Sequence, residues 1–177
     1  SVIGRVSNIS LPPSYNNSLL PVFEAVQNGV HAVIERFGKD NLEHGQIIIS
    51  VYRNEDGDPV SFSIRDNGAG MHDENFRSFR TSDSRRKREL GGKGVGRLSW
   101  LKAFQAANIE SVFYDKDQPI RRKFRFVYAE EPIQQHQLEK FDDVETYTDV
   151  NLEQFHDNFR SYCPKKMVTI VNKTIGH

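Results

Sequence analysis

The stretch Gly91–Ser99, read Gly-Gly-Lys-Gly-Val-Gly-Arg-Leu-Ser, constrains the fold more than any other part of the chain. Gly91, Gly94 and Gly96 stand at G-x-x-G-x-G spacing, and a helix-forming run from Leu98 through Trp100, Leu101, Lys102, Ala103 and Phe104 follows at once. Glycine lets the backbone enter φ > 0 and brings N–H groups close to a ligand with no Cβ in the way. A helix start adds unpaired donors and a partial positive charge, so a loop of this kind opening a helix near Arg97 suits a phosphate. Alone the pattern is weak. Its meaning depends on what the rest of the chain brings to the same place.

Upstream, Leu19, Val22, Phe23, Val26, Val30, Val33, Ile34 and Phe37 recur at helical spacing and predict a helix to about Phe37. Asn17 or Ser18 offers an N-cap, and Pro21 fits the first turn. Glu24, Asn28, His31 and Glu35 fall on the side away from the apolar stripe, at about 100° per residue. Glu24 and Asn28, one turn apart, either face water as polar helix residues usually do or face a ligand together. Periodicity does not separate the two.

Ser1–Asn17, with Pro12-Pro13 and Asn16-Asn17, reads as an arm or a leading strand and loop, and Gly38–Gly45 as a loop. Alternation at Ile47, Ile49 and Val51, and at Val60, Phe62 and Ile64, flanks the turn residues Asn54–Asp58 and predicts a β-hairpin. Its second strand runs into Asp66-Asn67-Gly68-Ala69-Gly70-Met71. That is either an ordinary Asp-Asn-Gly turn or a carboxylate held at a pocket edge where backbone passes close to a flat ligand. Asp73 is placed to cap a short helix through Arg80. Thr81–Leu90 lacks an apolar period and reads as a mobile flap. Its Arg85-Arg86-Lys87-Arg88 run either touches phosphates or nucleic acid or, beside Asp83 and Glu89, is a solvated loop. Strand-like runs at Ile109–Tyr114 and Lys123–Tyr128 precede a polar connection, Glu130–Asp143. Tyr147–Leu152 alternates again with Thr148 at its head, and a helix is expected beyond Pro164.

The 24 Lys+Arg against 24 Asp+Glu leave no global electrostatic case for nucleic acid or membrane. No apolar run approaches the ~20 residues of a membrane span, and no signal-peptide pattern opens the chain. The 177 residues fit a single domain, 1–177, with 1–17 as an N-terminal arm and 81–90 as a candidate lid. A lone cysteine, Cys163, fits a reducing cytoplasm and reads as structural.

Glu24-x-x-x-Asn28 on a helix, Asp66-x-Gly68-x-Gly70 after a strand and Gly91-x-x-Gly94-x-Gly96 leading into a helix stand in a fixed order, with Thr148 downstream. Over roughly Leu19–Leu152 this set resembles the GHKL ATPases. That superfamily includes the DNA gyrase B subunit, the heat-shock chaperone of the same fold, sensor histidine kinases, MutL and the MORC proteins. The resemblance implies the Bergerat fold, an α/β two-layer sandwich (α+β) with a mixed sheet, helices on one face and a flexible ATP lid. It implies Glu24 as the general base, Asn28 as the Mg²⁺ ligand and Asp66 as acceptor from the adenine amino group. Gly68, Gly70 and Met71 would lie beneath and beside the base, and Gly91, Gly92, Lys93, Gly94, Val95 and Gly96 would close the phosphate end. Thr148 would support Asp66, although the glycine usual before that threonine is Tyr147 here. The glycine run is most similar to the chaperone and MORC-like branch.

The implied activity is slow, Mg²⁺-dependent hydrolysis of ATP to ADP and phosphate in the cytoplasm, serving as a nucleotide-driven switch. The alternatives are a regulatory module that binds nucleotide without significant turnover, or a phosphotransfer catalytic domain of histidine-kinase type. The chain is expected to be a piece of a longer protein, and because MutL and gyrase types complete this site with a lysine from a following domain, such a piece would bind ATP but hydrolyse it slowly. Expected partners are those further domains and an ATP-dependent second copy; this segment does not support nucleic acid, and no membrane contact is expected.

Overall fold

The predicted hairpin forms as β1 (Ile47–Arg53) and β2 (Pro59–Asp66) in a computed structural model that describes residues 1–81, 96–142, 145–167 and 169–170. Ile49 pairs with Ile64 and Val51 with Phe62. Asn54 closes the turn, its side-chain oxygen accepting from the N–H groups of Asp56 and Asp58. With β3 (Phe104–Asp115), β4 (Gln118–Val127), β5 (Ile133–Lys140) and β6 (Tyr147–Phe155) the hairpin builds a six-stranded sheet of order β1-β2-β6-β3-β4-β5. Every pairing between described strands is antiparallel, which corrects the expected mixed sheet. The reason is topological. β2 and β3 run the same way, but β6 inserts between them and is antiparallel to both, so no two neighbours are parallel.

The long helix α2 (Leu20–Phe37) forms where its period predicts, with Pro21 in the first turn. Its cap is Leu19, without a side-chain bond; Ser18 donates its hydroxyl to Tyr15 O, and Asn17 turns back to Ser14 and Pro12. The buried apolar line is Val22, Ala25, Gly29 and Val33, whereas Val30 is exposed. Small residues at 25 and 29 let the helix lie close to the sheet, and a count of bulky side chains overlooks them.

The arm holds a short helix, α1 (Val2–Ser7), where an arm or strand is expected; Ser1 Oγ caps it by accepting from Gly4 N–H. A helix this brief shows too little period to be read. Lys39–His44 is a 3₁₀ segment rather than a plain loop. Helix α3 (Asp73–Thr81) is capped by His72, whose carbonyl accepts from Phe76 N–H and whose Nδ1 accepts from Asn75 N–H, so Asp73 sits in the first turn instead. The rest of the expected flap, 82–90, lies outside the described residues, as do Gly91, Gly92, Lys93, Gly94 and Val95. Helix α4 (Leu98–Ala103) gives way to β3 at Phe104. The connection expected at Glu130–Asp143 contains edge strand β5, whose side chains are nearly all exposed and so carry no apolar alternation. A last helical turn, α5 (Asp157–Arg160), follows β6, and the helix expected beyond Pro164 falls largely outside the described residues.

Helices cover one face of the sheet. Phe62, Phe104 and Phe155 bury there, with Phe104 and Phe155 stacked at 4.5 Å, beside Phe79, Trp100, Phe124 and Phe126. The other face is polar, with Ser63 and Arg65 on Asp149 and with Asn108 and Arg125 on Glu153. That division makes the two layers. Cys163 is buried, and burial pushes its thiol up to about 12, which suits a structural thiol. Among the described residues no helix is long and apolar enough to cross a membrane.

Candidate functional site

The site begins where α2 meets the end of β2. A Cβ on Gly29 would lie 3.3 Å from the Cβ of Asp66, so the helix backbone runs hard against the strand end. The next loop is pinned to the same helix. Ala69 N–H donates to Ala32 O at 3.0 Å, and a Cβ on Gly68 would sit 2.4 Å from the Ala32 carbonyl carbon. Gly70 has φ +86°, and a Cβ there would meet Val112 O at 2.6 Å. Both glycines are therefore required by close approach.

Asp66 is buried, and its Oδ1 accepts from Gly68 N–H at 2.8 Å. Burial pushes its pKa up to about 7, partly offset by the Gly68 bond and reinforced by the charge of Asp149. Thr148 stands directly opposite Asp66 in the β2–β6 pairing. Ser111 Oγ accepts from Met71 N–H at 2.7 Å, donates to Tyr147 O at 2.8 Å and contacts Thr148 Oγ1 at 2.8 Å. A hydroxyl has one proton, so satisfying all three contacts requires Thr148 to donate to Ser111. Thr148 then turns lone pairs, not a proton, to its surroundings. Thr146 Oγ1 holds the loop from below by donating to Gly68 O at 2.8 Å.

A second clamp comes from β4. Arg122, almost wholly buried, donates from Nε to Met71 O at 2.9 Å, from one terminal nitrogen to Asp73 at 2.5 Å, and from the other to His136 Nε2 at 2.8 Å. An arginine has no acceptor, so His136 Nε2 must be unprotonated; burial first and the Arg122 charge second hold its pKa below the usual value.

Asn28, Asp66, Gly70, Met71 and Thr148 line one cavity of about 370 Å³ between α2, α3, α4 and the sheet. Of the remaining sequence candidates, Gly68 lies behind its wall against α2, and Gly96, at φ +60°, accepts from the Ser99 hydroxyl at 2.7 Å just before the lining residue Arg97. Glu24 is buried one turn before Asn28, next to the lining residue Ala25, but is not itself on the lining. At Tyr147, where the resemblance leads one to expect glycine, the backbone conformation does not require one. Tyr147 has no positive φ, and its ring faces Arg65, whose guanidinium lies 3.9 Å from the centroid.

Sequence reasoning missed Ser111, Thr146 and Arg122, which carry no local signal because their partners are distant in the chain. Arg97 and Trp100 were within the singled-out run, and only their place on the wall was hidden.

A family model described as histidine kinase-, DNA gyrase B-, and HSP90-like ATPase matches residues 18–155. No curated protein gives a match to the chain.

Proposed function

The chain belongs to the histidine kinase-, DNA gyrase B-, and HSP90-like ATPases, and on that premise we propose that its cavity takes ATP with the adenine at Asp66 and the phosphates toward the start of α2. One observation carries the orientation: a buried carboxylate with Oδ1 held by Gly68 N–H stands on the cavity wall at the end of β2. An adenine amino group donates to such an oxygen. Guanine would present O6 there, an acceptor that a carboxylate repels.

Asn28 would hold Mg²⁺ through its amide oxygen. Mg²⁺ takes few protein oxygens and keeps waters and phosphate oxygens, which one amide on the cavity wall fits. When bound, Mg²⁺ neutralises charge on the β- and γ-phosphates. Glu24, on the turn before Asn28, is the general base that orients and deprotonates the attacking water. Turnover in the isolated domain is slow, and the bound state acts as a switch for further domains or a second copy in the cytoplasm, as in the chaperone and MORC-like branch.

The test is phosphate release by wild type against Glu24→Ala and Glu24→Gln, with ADP binding measured in parallel. Both variants are expected to bind ADP like wild type and to release phosphate ~100-fold more slowly, the lower range for loss of a general base. Equal release rates with nucleotide bound would identify a binding-only module.

A further inference from the structure

Arg97 follows the glycine run directly, lines the cavity and is 6% exposed. Its Nε is the one buried side-chain nitrogen or oxygen among the described residues that has no hydrogen-bond partner. The guanidinium carbon lies 4.5 Å from the ring centroid of Phe79 and 5.7 Å from that of Phe126. Ring faces attract a cation, but by less than removing an ion from water costs. Among the described residues the charge that acts on Arg97 is a second cation, Arg5; burial foremost, then that repulsion, brings its pKa down to about 9. The fold has thus buried a guanidinium on a cavity wall without giving Nε an acceptor.

Its position along the cavity follows from Trp100, which donates its indole N–H to Pro21 O at 3.1 Å and so ties α4 to the first turn of α2. Asp66 abuts Gly29, about 12 Å further along that helix at 1.5 Å per residue. Trp100, three residues after Arg97, is thus anchored near the start of α2, well along the helix from the glycine that Asp66 abuts.

We propose that Arg97 is a phosphate-binding residue of this cavity, its planar guanidinium pairing with non-bridging oxygens of the nucleotide's phosphate chain. The nucleotide supplies an anion that no described residue gives this buried cation, and a guanidinium fork suits a phosphate better than a point charge does. This assignment rests on the nucleotide reading of the cavity.

A purely structural role, as a cation packed between two phenylalanines, predicts the opposite sign for stability. Removing a buried charge without a counter-ion relieves the folded apoprotein, whereas removing a packing residue weakens it. The experiment titrates ATP, ADP and adenosine into wild type, Arg97→Met and Arg97→Lys by calorimetry, with thermal melts of each apoprotein. Arg97→Met is expected to weaken ATP and ADP at least ~10-fold, to leave adenosine within ~2-fold and to raise the apo Tm; Arg97→Lys falls between. ATP affinity within ~2-fold of wild type in Arg97→Met, an equal loss for adenosine, or a lowered apo Tm with unchanged ATP binding would overturn the assignment while leaving the nucleotide site standing. Should Arg97→Met not fold, the same comparison in Arg97→Lys decides. A wild type that binds neither ATP nor adenosine overturns both readings.

Discussion

Asp66 has two demands that pull against each other. Burial in the apoprotein favours its neutral form and raises the pKa from 3.8 to about 7, whereas the bond accepted from an adenine amino group is strongest in the ionised form. The raised pKa contributes stability that is fully present below about pH 3.8, declines above it and is gone once pH exceeds about 7. Nucleotide binding has the reverse dependence. ADP affinity is expected to fall as pH drops below about 7, and binding near pH 6 to release up to about one proton per site. Calorimetry in two buffers of different ionisation enthalpy reads that proton directly. Asp66→Asn should abolish the release and weaken ATP and ADP alike. An affinity that is flat between about pH 5.5 and 8 would remove this carboxylate from the contact.

At the scale of elements, the loop from Asp66 to Met71 and helix α2 behave as one piece. Ala69 bonds to Ala32 O, Thr146 to Gly68 O, Ser111 to Met71 N and Arg122 to Met71 O. Gly68→Ala drives a Cβ to 2.4 Å from the Ala32 backbone and has no flexible side chain to push aside. It is expected to cost at least ~1–3 kcal/mol, the usual range for overpacking, and to weaken ADP by displacing Asp66. Gly4→Ala, whose nearest neighbour would be Ser1 Oγ at 3.5 Å, serves as the control and should be neutral or stabilising by about 1 kcal/mol. Urea midpoints compare the two. A Gly68→Ala protein as stable as wild type would mean the loop is not pinned. The helix period and the Asp-Asn-Gly signal are both readable from the chain, and their contact is not, because it joins backbone to backbone where side chains are absent.

For the whole molecule the decisive element is β6. It joins the β1–β2 hairpin to β3, β4 and β5, pairing Asp66 with Thr148 on one side and Ser111 with Thr148 on the other. Both halves of the site therefore depend on a strand that arrives late in the chain. Leu152, fully buried opposite Phe62 and Ala107, is expected to cost ~2–5 kcal/mol when changed to Ala. The unfolding transition should remain single by Trp100 fluorescence and far-UV circular dichroism. Saturation with ADP at about 100 times its Kd should restore roughly 2.7 kcal/mol. Two separated transitions would show that the hairpin side and the β3–β5 side fold independently.

Local chemistry was enough to write α2, the β1–β2 hairpin, the acidic turn after it, half of β3 and of β4, most of β6, and the resemblance that groups Asn28, Asp66 and Thr148. Those features rest on period, turn residues and glycine spacing, which act over a few residues. Tertiary structure decided the rest. It made the sheet wholly antiparallel among the described strands by placing β6 between β2 and β3, and it turned Asn28 toward a hollow instead of bulk water. It also recruited β5 as an edge strand without an apolar face, raised the Asp66 pKa through burial, and left Arg97 without an acceptor for its Nε. Each of these depends on what lies across a gap in space, and no spacing along the chain encodes which groups will share that gap.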